Sequence, residues 1–448
     1  MELDEALVLW IFRHALGSVR RARGVCRRWL AILPIGRRLS VPDAAEAELP
    51  AGCEAELRRA TEWDRVLLLS VGGPSPLPFL LRVLHGRFDR LVSLAVGGRA
   101  DCWADQRQTL LDSVVCECTE LEELTLTDVG LAQGGGAEAL AAALRGSDRE
   151  GLAGEEVSSD LSSLCQHGRT GGADREDTPT PAHTRPGVHP DFVPLEKTRV
   201  IGPTTERSRG GAVHARLKHL RLERNGLSGG MLPLAKTIAL LHLRTLELGG
   251  NRLGSTGASA LACALMKAPS RSLSVLGLAE NDLGPDGMCA LRPALCGLQS
   301  LVHLNLNANR LMAAGAFHLA DALRALTTLT ALELNFNFLG EQGTRSLAPV
   351  LGAHASLTAL DLSFNDMGPE GIRALVEGLA NDKHVGFVRL DLSKNSLGTI
   401  GAHALLPLLE RNATTLEYVC LKFNGLGQQH AAKVNCLAPR ARVEVLEL

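Results

Sequence analysis

Aromatic residues are scarce in this chain: ten Phe, four Trp and one Tyr among 448 residues. Rings at that density cannot dominate a core, so leucine and alanine must supply the packing. Charge of one sign is missing too. Lys and Arg number 47 against 49 Asp and Glu, a formal −2, which leaves no global field to draw nucleic acid or a membrane surface. No stretch approaches the ~20 apolar residues of a membrane span. The opening Met1-Glu-Leu-Asp-Glu lacks the basic start of a secretion signal, and the apolar run 6–12 is too short for one. Eleven cysteines form no paired framework. Cys116-x-Cys118 has no second pair or nearby histidine, which argues against a zinc site. Cys263, Cys289 and Cys296 fall in apolar helical patterns and are expected as small buried hydrophobes. A reducing compartment, cytoplasmic or nuclear, is therefore expected. Catalytic machinery is equally lacking: there is no P-loop, no Gly-x-Ser-x-Gly, no His-Glu-x-x-His and no Gly-x-Gly-x-x-Gly between strand and helix. The expectation is a chain that is not an enzyme and takes no cofactor or metal.

What the chain has instead is a period. Eight asparagines, Asn225, Asn251, Asn281, Asn309, Asn337, Asn365, Asn395 and Asn424, recur at steps of 26, 30, 28, 28, 28, 30 and 29 residues. Each closes a leucine ladder such as Leu304-Asn-Leu306-Asn-Ala-Asn309-Arg-Leu311. A fixed period of that size means stacked supersecondary units. Alternating leucines, as in Leu332-Glu-Leu334, predict a short strand. The asparagine amide that follows is suited to satisfy backbone groups where the chain turns. Leu-Gly-x-x-Gly, as in Leu253-Gly254-Ser-Thr-Gly257, predicts a tight turn and close helix–strand approach. An Ala/Leu helix then packs behind the strand. The fold class is α/β: a solenoid with an inner parallel sheet and outer helices.

The pattern resembles the leucine-rich repeats of the ribonuclease-inhibitor type from Leu217 to the end. Weaker units precede it: Leu39-x-Val41, Val66-x-x-Leu69-x-Val71, Leu91-x-x-Leu94-x-Val96 and Leu121-x-x-Leu124-x-Leu126, where Val129 replaces the asparagine. The last strand is expected at Val443-x-x-Leu446-x-Leu448. Residues 39–145 thus read as degenerate repeats and 213–448 as regular ones. Between them, 146–212 is rich in Gly, Ser, Thr, Pro and charge and is expected to be a disordered insertion.

Residues 1–38 do not fit the repeat. Leu7, Ile11-Phe12, Leu16, Val25-Cys26-Arg27 and Trp29 fall on two amphipathic helical patterns, and their order resembles an F-box. That resemblance implies docking on a Skp-type adaptor of a cullin-RING ubiquitin ligase, through Leu7, Ile11, Phe12, Leu16, Val25, Cys26 and Trp29. Asp4 stands where that family usually has proline. The alternative is a plain cap on the open edge of the stack, which repeat arrays require.

The candidate binding residues lie on the sheet. Glu247, Glu333, Asp361 and Asp391 occupy the position between the last two ladder leucines, which projects from the concave face because neighbours along a strand point to opposite sides. The position before each asparagine holds Phe336 and Phe364 in consecutive repeats; the alternative is that these rings pack at the turn. Asn305, Glu333, Asn335, Phe336, Asp361, Phe364 and Asp391 are expected to bind a basic or amphipathic protein partner. Three functions compete: a substrate receptor of an SCF-type ubiquitin ligase, a scaffold or inhibitor-like binding protein, and a GTPase activator, since Ran GTPase-activating proteins use similar repeats.

Overall fold

The structure, a computed structural model, describes residues 38–41, 68–71, 91–116, 118, 120–145, 216–268, 272–380, 386–437 and 442–444. The chain divides into two units, Met1–Ser147 with Ala212–Leu448, and Asp148–Gly211. Every described residue belongs to the first unit; the expected N-terminal helices and the whole of the expected insertion, 146–212, lie outside the described residues.

Thirteen strands form one sheet in strict chain order. They are β1 (Arg38–Val41), β2 (Leu68–Val71), β3 (Ser93–Gly97), β4 (Glu123–Thr127), β5 (His219–Arg221), β6 (Thr245–Glu247), β7 (Val275–Gly277), β8 (His303–Asn305), β9 (Ala331–Glu333), β10 (Ala359–Asp361), β11 (Arg389–Asp391), β12 (Tyr418–Cys420) and β13 (Arg442–Glu444). Every neighbouring pair is parallel, and the register repeats: Leu304 faces Leu332, Leu332 faces Leu360, Leu360 faces Leu390. The 28-odd residues between successive rungs return by a helix, such as Gly340–Ala353 or Gly368–Leu379. Strands lie about 4.8 Å apart and packed helices about 8–10 Å apart, so the stack bends towards its sheet.

The ladder leucines account for the short strands. Leu329, Leu332 and Leu334, or Leu301, Leu304 and Leu306, are fully buried. The residues between them face out, so three paired residues suffice to seat each coil. Burying an apolar side chain of this size stabilises by ~1.5–3 kcal/mol, and each coil buries its own against the next. β4 pairs with β5 although 91 residues separate their ends, so the stack closes across the expected insertion (219 − 127 − 1 = 91). Thr237 Oγ1 also donates to the Ala141 carbonyl across that gap, at 3.3 Å.

The asparagines form a continuous buried column. Each backbone N–H in the column donates to the next asparagine's Oδ1, from Asn225 to Asn251 (2.8 Å) through Asn395 to Asn424 (2.7 Å). Each Nδ2 donates back to a ladder carbonyl of the preceding coil, as Asn309 to Leu278 (2.7 Å) and Asn337 to Leu306 (2.8 Å). The amide supplies both donor and acceptor where backbone turns out of the sheet, which an apolar residue cannot do. At the degenerate end Val129 N–H donates to Asn225 Oδ1 at 3.0 Å, so the column starts where Val129 replaces the amide.

Three expectations need correction. The final strand is Arg442–Glu444, with Val443 opposite Val419. Val443 therefore takes the middle rung rather than the first, and Leu446 and Leu448 lie outside the described residues. The glycine pair divides its labour differently: the first adopts positive φ (Gly254 +60°, Gly398 +62°), whereas the second meets the turn leucine and the preceding helix. A Cβ at Gly343 would lie 3.1 Å from Leu339 Cβ and 3.3 Å from Ala313 Cα, so the close approach is helix to helix. Cys289 is exposed on its helix, unlike buried Cys263, while Cys296 is half-buried.

Candidate functional site

Outward positions on β8 to β12 converge on a concavity of ≈ 370 Å³ lined by His303, Glu333, Asp361, Arg389, Asp391 and Tyr418, with the strand backbones as its floor. Register places the three acids side by side, Glu333 opposite Asp361 and Asp361 opposite Asp391. The fourth acid of the sequence row, Glu247, stands apart, separated by Gly277 and Asn305.

The acids differ in what already holds them. Glu333 contacts His303 Nε2 at 2.8 Å and accepts from Asn307 Nδ2 at 2.7 Å. The His303 hydrogen bond depresses the Glu333 carboxyl below its ordinary range, and the same bond raises the imidazole. Glu247 pairs with Arg221, which also bridges to Glu123. Burial, then the neighbouring Glu247, pushes the Glu223 carboxyl up. Asp361 and Asp391 have no ion pair among the described residues. Asp361 accepts from Ser363 N–H at 2.9 Å and Ser363 Oγ, and Asp391 from Ser393 N–H at 2.9 Å and Ser393 Oγ at 2.7 Å. Burial raises the Asp361 carboxyl, and adjacent Asp391 and Glu333 push the same way. Arg389 lines the same concavity but forms no ion pair with either carboxylate.

Beyond the strand ends, Asn305 Oδ1 accepts from Asn307 N–H, and Asn335 Nδ2 donates to Ser363 Oγ. Asn305 thus braces its own coil, Asn335 ties its coil to the next, and both are half-buried. Phe336 and Phe364, for which packing at the turn was the alternative, are partly buried there and keep an open face. Phe336 (42% exposed), Phe338 (47%), Phe364 (37%) and Phe423 (54%) all stand out on this rim. Ring centroids of Phe336 lie 5.0 Å from Phe338 and 5.7 Å from Phe364. The Lys394 ammonium lies 4.0 Å from the Phe364 centroid and 5.0 Å from that of Phe423, which joins the last ring to the row.

Sequence reasoning brought Glu333, Asp361, Asp391, Phe336 and Phe364 to one region, and the structure adds Phe338, Lys394, His303, Arg389 and Tyr418. Phe338 carried a readable signal. It follows the column asparagine, a place filled by Arg252, Asp282, Arg310 and Asp366 in other coils. The adaptor-docking set Leu7, Ile11, Phe12, Leu16, Val25, Cys26 and Trp29 lies outside the described residues. No helix among the described residues is long and apolar enough to cross a membrane.

Among families of known proteins, the leucine-rich repeat matches at residues 239–262 and 353–376. Among solved structures, the chain is similar to one in the crystal structure of the Rad7 and Elc1 complex in yeast, with a TM-score of 0.46 and 13% identity over 99% of this chain and 88% of that one. With its chain-ordered parallel sheet, its backing helices and its buried asparagine column, the fold is a leucine-rich repeat solenoid.

Proposed function

We propose that this chain is a non-catalytic receptor that holds a protein partner on the open face of its sheet. The observation that carries the reading is the row of partly exposed phenylalanines beside two carboxylates that form no ion pair among the described residues. Exposed rings rimmed by charge are the usual composition of a protein-binding hot spot. In its most specific form, the chain is the substrate-recognition subunit of an SCF-type ubiquitin ligase. Support for that form is the sequence alone: an F-box-like segment directly followed by repeats. In this role the partners perform the transfer chemistry, and the chain positions the target.

Two measurements test the reading. Co-purification with a Skp-type adaptor, lost in Ile11→Glu/Phe12→Glu, is the expected result; absence of adaptor from the wild type leaves a scaffold or inhibitor-like binding protein. Phe336→Ala with Asp361→Arg is expected to remove specific partners from a pulldown, and an unchanged interactome would refute binding at this face. Stimulated GTP hydrolysis by a Ran-like protein would favour the third, GTPase-activating reading.

A further inference from the structure

The side chains placed on the coil turns are the unusual feature of the rim. Phe336 (φ +55°), Phe338 (+54°), Phe364 (+55°) and Phe423 (+58°) all occupy the left-handed region. Bulky side chains are disfavoured there, and glycine or asparagine is the comfortable choice. The turn does not require a ring, because Gly250 and Ala308 make the same turn in neighbouring coils at φ +70° and +54°. Nor does the core, because each ring keeps between 37% and 54% of its surface exposed. The left-handed turn recurs in other coils, as at Arg224, Glu280 and Lys394, so the backbone is common to the stack; what sets this stretch apart is that apolar rings with open faces fill those places, which points to use.

Charge beside the rings narrows the use. Asp361 and Asp391 sit on adjacent strands, and Asp366 follows the column asparagine next to Phe364. Acids so placed repel phosphate, which disfavours nucleic acid despite rings fit for stacking bases. They attract a cation, and carboxylates about 4.8 Å apart suit the fork of a guanidinium. Lys394 already shows that these rings accept a cation across their faces.

Resting on the receptor reading above, we propose that the Phe336–Phe338–Phe364 rim and the Asp361/Asp391 pair recognise a two-point signature in a protein segment. One point is an arginine or lysine set between the two aspartates. The other is a large apolar side chain on the rings. Phe364 follows Asp361 by three positions, which places the two points roughly 7–10 Å apart at about 3.3 Å per residue. A segment carrying a cation and an apolar residue two or three positions apart meets both.

The test pans the full-length chain against a phage-displayed library of random dodecapeptides. Enriched peptides are expected to share Arg or Lys at that spacing from Phe, Trp, Leu or Met. A selected peptide should lose affinity about tenfold or more on Asp361→Asn/Asp391→Asn. It should lose as much on Phe336→Gly/Phe364→Gly, a variant whose circular dichroism spectrum is expected to match that of wild type. Peptides that lack the cation, or that bind both variants like wild type, overturn the two-point signature while leaving the receptor reading intact. No enrichment, together with an interactome indifferent to Phe336→Ala/Asp361→Arg, overturns both.

Discussion

Replacing one interior asparagine of the column should cost far more than its size suggests, and Asn337→Ala is the informative case. The Asn337 side chain donates to Leu306 O at 2.8 Å and Leu334 O at 3.0 Å, and accepts from Asn309 N–H at 3.1 Å and Leu311 N–H at 3.4 Å. Both carbonyls keep a second donor, Asn309 Nδ2 on Leu306 and Asn365 Nδ2 on Leu334. The Asn309 N–H loses its acceptor in a fully buried place. That orphaned donor costs about 1–3 kcal/mol and each lost donation about 1 kcal/mol, for a total of about 3–5 kcal/mol. Asn335→Ala, two residues away on the half-buried face, gives up chiefly its hydrogen bond to Ser363 Oγ and should cost under about 1 kcal/mol. Urea denaturation of both variants, followed by circular dichroism, measures the difference. Repeat stacks hold together through nearest-neighbour contacts, so the Asn337 variant should also show a broadened or split transition. Equal destabilisation by the two substitutions would refute the view that the column, rather than asparagine content, joins the coils.

Three further outcomes follow from the geometry. Met312 takes φ +56° where other coils place glycine with open space around it, so Met312→Gly should raise stability by about 0.5–1 kcal/mol; a loss of that size would mean the Met312 side chain packs usefully. A Cβ at Gly378 would lie 2.5 Å from the Ala348 carbonyl carbon, so Gly378→Ala should destabilise by about 1–3 kcal/mol, whereas Gly297→Ala, with nothing within 4 Å, should be neutral or mildly stabilising in thermal melts. His303 is raised above its ordinary 6.5 and Glu333 lowered below its ordinary 4.5, chiefly by their shared hydrogen bond. The raised imidazole contributes stability that is complete below its unfolded value and lost as pH rises through its folded one. The lowered carboxyl contributes stability present above its unfolded value and lost as pH falls through its folded one. The urea midpoint of wild type relative to Glu333→Gln should therefore peak between about pH 4.5 and 6.5 and shrink on either side; a gap constant from acid to alkaline pH would exclude the pair as its source.

The repeat architecture was legible because its contacts are between neighbours at nearly constant spacing. Once Asn309 and Asn337 stand 28 residues apart on matching ladders, parallel pairing of Leu304 with Leu332 follows from burying each coil against the next. The column itself was legible for the same reason, since a recurrent amide at a turn has few ways to satisfy the backbone. Where periodicity weakens, register was misread: the apolar residues of the last coil allowed Val443 on either rung, and pairing with Val419 decided it.

The period, the α/β solenoid, and the face on which Glu247, Glu333, Asp361 and Asp391 stand can all be read along the chain. Which of those acids are answered depends on how the coils stack: Arg221 takes Glu247 and His303 takes Glu333, while among the described residues Asp361 and Asp391 accept hydrogen bonds from serines and form no ion pair. Stacking also leaves Phe336 and Phe364 exposed in one row with Phe338 and Lys394. The reason is physical. Burying a leucine is decided by its place in the period, whereas an exposed carboxylate or ring finds its partner across strands a full coil apart in sequence, through side-chain geometry that no local pattern encodes.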